Sequence, residues 1–255
     1  MQNEKLQQDN LPNPEFNRPP NSYTKKVNKE VKNILRKRLI TIIATGIVLV
    51  LGVTYIILKA IDNYILTIGI NNNLEKGIIL SDTPDFKKRS VILSADGIKK
   101  LSHYTYEWFE GQLEEKDGSH NGNNYIAYTF YLRNEGFTII DYQYTIEMLG
   151  MSKGTENAVR FMVIRNDERV VYAAPNKETG NPEYIAPGRV DELTVPFVNS
   201  DTAADVLRED INPGEVDKYT IVIWLEGTDS ECVNDIIGGT IRFRMFFNVL
   251  IEDDE

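Results

Sequence analysis

Cysteine is nearly absent: Cys232 stands alone in 255 residues, so the chain has no internal disulfide and must be held together by a packed core. Histidine is almost as scarce, with only His103 and His120. No H-E-x-x-H or Walker pattern occurs, which removes the commonest zinc and nucleotide-binding signatures. Cys232 has only those two histidines as partners and sits in an acidic stretch, an environment that raises a thiol pKa. His120, in a Gly/Asn-rich loop, reads as a solvated side chain, and His103, at the head of HYTYEWF, as a packed strand residue. The expectation is a protein that is not an enzyme.

Charge is missing from one long stretch. Leu39 to Leu58, LITIIATGIVLVLGVTYIIL, holds twenty uncharged residues, enough to span a bilayer core of ~30 Å as one helix. Lys25, Lys26, Lys29, Lys32, Arg36, Lys37 and Arg38 precede it, whereas only Lys59 and Lys76 follow closely. The positive-inside rule then predicts a cytoplasmic N-terminus and an exported C-terminal part. A cleaved signal peptide is disfavoured, because signal cores are ~7–15 residues and end in small-residue sites. Gly46 and Gly52 are six apart, so the dimerising G-x-x-x-G spacing is lacking.

Positive charge is also short beyond the anchor. Residues 1–38 carry nine Lys/Arg against four Asp/Glu, whereas residues 59–255 carry nineteen against thirty-four, a net of −15. So acidic a domain cannot neutralise a phosphate backbone, which excludes nucleic acid as its main partner. The basic segment instead suits anionic lipid head groups. Scarce cysteine together with abundant Lys, Asn, Ile and acids fits a Gram-positive bacterial surface.

Domain limits follow from these shifts. Residues 1–24, with four prolines and many amides, predict a disordered tail. Residues 25–38 form a basic juxtamembrane segment, 39–58 the transmembrane helix, and 59–89 a helix extension and stalk. Residues 90–255 form the folded domain.

Within that domain the apolar period changes from 3.6 to 2. Ile126, Tyr128, Phe130 and Leu132 share one strand face; so do Ile140, Tyr142, Tyr144, Ile146 and Met148. Val159, Phe161 and Val163 alternate with Arg160, Met162 and Ile164, and Tyr219, Ile221, Ile223 and Leu225 with Thr220, Val222 and Trp224. Ile241, Phe243 and Met245 alternate with Arg242 and Arg244. Turn-rich segments at 115–124, 133–136, 165–168 and 174–183 separate the runs. The pattern predicts a mainly β fold, an antiparallel β-sandwich, with a closed barrel as the alternative.

Two features remain as candidate sites. The loop EGTDSECVND offers Glu226, Asp229, Glu231, Asn234 and Asp235, hard oxygen donors of the kind calcium takes, although their spacing is not that of an EF-hand. Thr228 and Glu231 have capping-box spacing for one short helix stopped by Gly238. The second feature is aromatic: Tyr104, Tyr106, Trp108, Phe109 and Trp224 lie where strands are apolar on both faces, which requires a second layer or another chain as cover. Trp108, Trp224, Thr228, Cys232 and Gly239 are the expected partner-binding surface.

The segments ENAVRFMVIRND, VYAAPNKETGNPE and PGEVDKYTIVIWLEGTDSECVNDIIGGTIRFRMFF resemble exported proteins of Gram-positive bacteria distantly related to the biofilm-fibre subunit TasA and to camelysin. The resemblance covers residues 125–250 and implies a jelly-roll-like sandwich. The N-terminus departs from it, since those proteins begin with a short cleaved signal. Nothing carries over a zinc site. The expectation is an anchored surface module for adhesion, matrix association or envelope assembly, partnered by the lipid bilayer and by an envelope or matrix protein or a second copy of itself. The alternative is a membrane-tethered regulator or accessory subunit.

Overall fold

The computed structural model describes residues 22–60, 64–71, 77–113, 116–186 and 188–250; within the first stretch, the side chains of 22–24, 27–28, 48–49 and 51–60 lie outside the description. The chain divides into two units, Met1–Ala60 and Ile61–Glu255.

The described part of the first unit is a single helix, α1 (Ser22–Ala60), of 39 residues. It has no internal proline, so nothing removes an i to i−4 hydrogen bond along its length. The basic segment 25–38 is its N-terminal part, and Leu39, Ile40, Ile42, Ile43, Ile47 and Val50 are exposed. Thr41 Oγ1 donates to the Lys37 carbonyl at 3.0 Å and Thr45 Oγ1 to that of Thr41 at 2.9 Å, which hides both hydroxyl hydrogens against the backbone. Among the described residues no helix is long and apolar enough to cross a membrane. Much of the run 39–58 falls on side chains outside the description, as do residues 1–21 of the expected disordered tail.

The second unit is mainly β. Its strands are β1 (Tyr64–Ile70), β2 (Ile78–Ser81), β3 (Arg89–Ser90), β4 (Ile92–Ser94), β5 (His103–Tyr104), β6 (Gly118–Ser119) and β7 (Tyr125–Asn134). They continue with β8 (Ile140–Leu149), β9 (Val159–Arg165), β10 (Glu168–Ala173), β11 (Val195–Pro196), β12 (Thr202–Ile211), β13 (Val216–Glu226) and β14 (Ile241–Leu250). One helical turn, α2 (Thr155–Ala158), precedes β9. One sheet has the order β12-β8-β14-β1-β4, and the other β11-β10-β9-β13-β7-β2-β3, with β5 added to β13 and β6 to β7.

The five strands expected from alternation form where it placed them, and their inward residues make the shared core. Phe130 of one sheet meets Phe247 of the other at 6.0 Å between ring centroids, and Phe161 meets Phe243 at 4.9 Å. The two sheets therefore pack face to face. Each fully buried Phe or Leu contributes about 1.5–3 kcal/mol by leaving water.

Three expectations are corrected here. The helix continues past Leu58 only to Ala60, and residues 64–70 are strand: Tyr64, Leu66 and Ile68 alternate inward at 0% exposure, and β1 pairs with β14 from Tyr64–Ile241 to Ile70–Phe247. Residues 71–89 are not a stalk, because β2 lies within the second sheet and Ile78, Leu80 and Phe86 are buried. Residues 72–76 lie outside the description. The sheets are mixed rather than antiparallel, since β1–β14, β10–β11 and β5–β13 run parallel. A parallel pair needs a crossover between its strands, and β1–β14 satisfies this by joining the two chain ends of the unit.

A second, smaller core lies on the outer face of the larger sheet. Val222 and Trp224 of β13, Met162 of β9, and Tyr125 and Ala127 of β7 pack there against Tyr106, Phe109, Ile185 and Ala186. Tyr106–Trp108 is a 3₁₀ turn rather than strand. The cover that doubly apolar strands require thus comes from this chain's own segments around 104–113 and 185–186.

Candidate functional site

The loop leaving β13 is built around carboxylates. Glu226, 1% exposed, ends the strand. Its Oε2 accepts Trp224 Nε1–H at 2.9 Å and the Tyr106 amide at 3.2 Å. Its Oε1 accepts the Thr228 hydroxyl at 2.5 Å and the Thr228 amide at 3.3 Å. Both oxygens are taken by donors that fix the loop against the second core.

Asp229 follows in the turn. Its Oδ1 accepts the Glu231 amide at 2.8 Å, and the Cys232 amide donates to the Asp229 carbonyl at 2.9 Å. Asp229 Oδ2 lies 3.0 Å from Arg160 Nη1, and the two side chains are 0% and 1% exposed. The pair is angled so that Asp229 Oδ2 receives no hydrogen bond, and Arg160 Nε and Nη1 make none. Arg160 Nη2 donates to the Tyr184 carbonyl at 3.3 Å.

A third segment closes on this turn. Asn176 organises the 174–183 loop: its Oδ1 accepts the amides of Glu178 and Thr179 at 3.0 and 2.9 Å, and its Nδ2 donates to Glu183 Oε1 at 2.7 Å. The Glu183 carbonyl is held by the Thr194 amide and hydroxyl at 2.8 and 2.9 Å. Glu183, Asp229 and Glu231 thereby present carboxylate oxygens all within 4.8 Å of one another. Glu231 Oε2 is enclosed without a hydrogen-bond donor, and Lys177 Nζ stands 3.7 Å from Glu231 Oε1.

Of the donor set expected from sequence, the structure brings two residues together. Asp229 and Glu231 converge. Glu226 does not join them, because its oxygens are already engaged, and Asp235 is exposed in the 3₁₀ turn Asn234–Ile236. The expected capped helix at Thr228 is corrected too: the Thr228 hydroxyl bonds Glu226, and the helical turn begins six residues later. Glu183, 46 residues before Asp229, was invisible to local spacing. Strand alternation places Arg160 opposite the main core face, and the second layer that buries it comes from distant segments.

The expected partner surface divides. Trp108 is 59% exposed, packed edge-on to Tyr104 at 5.4 Å, and Thr228 is exposed. Trp224, at 0% exposure, is core. Gly239 is buried because a Cβ there would meet Thr155 Cγ2 at 2.5 Å and the Ser152 carbonyl at 2.8 Å. Cys232 is 7% exposed, and burial, reinforced by the Asp229 and Glu226 carboxylates against the opposing Arg160, pushes its thiol up to about 12. It is protonated at neutral pH. His103 pairs in β5 with Nε2 3.2 Å from the Val233 carbonyl. His120 is not the solvated ring expected: Nδ1 lies 2.9 Å from the Gly118 carbonyl and Nε2 is enclosed.

Another buried polar group, at the opposite end of β13, is fully engaged. Tyr142 donates to Asp217 Oδ2 at 2.5 Å and lies 2.6 Å from the Tyr219 hydroxyl, while Asn166 Nδ2 donates to Asp217 Oδ1 at 3.0 Å. Burial drives the Tyr142 pKa far upward, with Tyr219 and Asp217 adding to the shift. This network is a satisfied part of the core.

Comparison with protein-family models, with curated proteins and with solved structures gives no match for the chain.

Proposed function

We propose that the chain is a membrane-tethered surface protein whose β unit, displayed outside the cell, acts by binding: an adhesion, matrix-association or envelope-assembly module. One observation carries this reading. Seven basic side chains and then twenty uncharged residues follow one another in a single continuous helix, ahead of a separate and acidic β unit. A lipid interior favours that arrangement, because helical backbone satisfies its own polar groups and the Thr41 and Thr45 hydroxyls bond within the helix. Cationic side chains at its head suit anionic lipid.

Exposed apolar side chains add support for binding. Tyr184, Val190, Leu193, Val195 and Val198 are 45–65% exposed along one segment, and such concentrations commonly mark partner surfaces. The jelly-roll-like kinship suggested by residues 125–250 points the same way and rests on those residues alone.

The test is an impermeant lysine cross-linker applied to intact cells expressing the full chain. Lys87, Lys153 and Lys177 react from outside if the topology holds, whereas Lys25–Lys37 react only after lysis. A ladder of self-linked species supports assembly. One heterologous protein at fixed stoichiometry supports the tethered-regulator alternative, and labelling of Lys87 only after lysis overturns the topology.

A further inference from the structure

We propose that Glu183, Asp229 and Glu231 form a calcium site that clips the 174–183 loop to the turn after β13. The first argument is size. Calcium takes oxygens at about 2.3–2.6 Å, so ligands on opposite sides of one ion stand about 4.6–5.2 Å apart. All three carboxylates fall inside 4.8 Å of each other, a set that one such ion can touch at once.

The second argument is unmet bonding. Asp229 is 8% exposed and its side chain is fully enclosed, yet Oδ2 receives no hydrogen bond, and neither does the enclosed Glu231 Oε2. Buried carboxylate oxygens are costly without donors or a metal. Arg160 offsets the charge of Asp229, with Nη1 3.0 Å from Oδ2, but gives that oxygen no hydrogen bond. Lys177, with a side chain 62% exposed and 3.7 Å from Glu231, is a loose partner on the rim. Three negative charges therefore meet one buried and one exposed positive charge, and an added dication is accommodated.

The third argument is donor chemistry. All three groups are hard oxygens, which favour calcium over zinc or copper. Magnesium dehydrates reluctantly and is usually held through one or two carboxylates with several waters, so three converging carboxylates favour calcium. The adjacent Arg160 guanidinium opposes the ion, which places the affinity in the weak class of extracellular modules, Kd ~10⁻⁴–10⁻³ M.

The test is calorimetric titration of calcium into the detergent-solubilised full chain, cleared of metal by a chelator, with thermal unfolding followed in parallel. The expected result is a saturable heat and a rise in Tm with calcium. Glu183→Gln and Glu231→Gln should each weaken binding at least about tenfold, as expected for losing one of three anionic ligands. Asp235→Asn, in the same loop but outside the cluster, should bind as the parent does. No saturable heat or Tm shift in the parent chain up to about 10 mM calcium, ten times the weakest Kd of this class, overturns the proposal whatever the variants do. Equal affinity for magnesium, or unchanged binding by both folded Gln variants, overturns it as well.

Discussion

Arg160 of β9 and Trp224 of β13 sit directly opposite each other in the antiparallel ladder, and both are almost wholly buried. Each turns its polar end to a carboxylate of the same loop: Arg160 to Asp229 and Trp224 to Glu226. The larger sheet thus carries, on the face away from the main core, two anchors for the loop after β13. The segments around Tyr106 and Ile185 close over them, so the loop is fixed by charge and hydrogen bonding within an apolar layer.

Breaking the ion pair from one side should be expensive. Arg160→Met leaves Asp229 enclosed without its cation, and losing one member of a buried pair costs about 3–5 kcal/mol. Arg160→Met combined with Asp229→Asn should recover part of that loss, because no uncompensated charge remains. Chemical denaturation in the presence of chelator measures both variants independently of calcium. Equal destabilisation by the single and double variants would show that packing, rather than charge, sets the cost.

Trp108 and Trp224 should report separately in fluorescence. Trp108 is 59% exposed and Trp224 is not exposed at all, so acrylamide should quench the first readily and the second weakly. Trp108→Phe should therefore leave a blue-shifted, quench-resistant emission. Trp224→Phe removes one of the donors to Glu226 and should destabilise the unit by about 1.5–3 kcal/mol, the worth of a hydrogen bond to a charged group. Similar quenching of the two single-tryptophan variants would contradict the second core.

The first strand gives a sharper test of where the folded unit begins. Ile68 is fully buried at the parallel β1–β14 seam, and Ile68→Ala should cost about 2–5 kcal/mol. A chain trimmed to start at Ile61 should give dispersed amide NMR spectra, whereas one starting at Ser90 should not, because it lacks two strands that complete the sheets. A well-folded Ser90 form would restore the stalk.

Why β1 escaped sequence reading is a matter of context. YILTIGI alternates correctly, but seven residues directly behind a long apolar run look like its continuation, and periodicity over so short a window does not separate helix from strand. β12 was missed for the opposite reason: TAADVLREDI carries four charged side chains and lies at a sheet edge, where only one face needs apolar residues. Strands flanked by two neighbours, such as β7 and β13, were legible because both their faces are buried or regularly alternate. The carboxylate cluster draws on both near and distant residues. Asp229 and Glu231 are local to one turn, while Glu183 and Arg160 arrive through tertiary folding, which a single sequence does not encode as spacing.

Alkaline pH should loosen the unit in a defined order. In the folded protein, burial holds the Cys232 thiol at about 12, above its ordinary 9.0, and the Tyr64 phenol at about 12, above its ordinary 10.0. Both groups are neutral when protonated, so the folded state keeps protons that the unfolded chain gives up. Their contribution is complete below pH 9 and is lost as pH rises through 9 to 12, because the unfolded state then binds fewer protons. Tyr142, Tyr144 and Tyr128, all raised mainly by burial, act with the same sign. Denaturant midpoints measured from pH 7 to 11 should therefore stay level to about pH 9 and then fall. Cys232→Ala should soften the earliest part of that fall and leave the tyrosine-dependent part in place. A midpoint that rises above pH 9 would mean that these groups ionise more easily in the fold than out of it, and that the thiol is not enclosed beside Asp229.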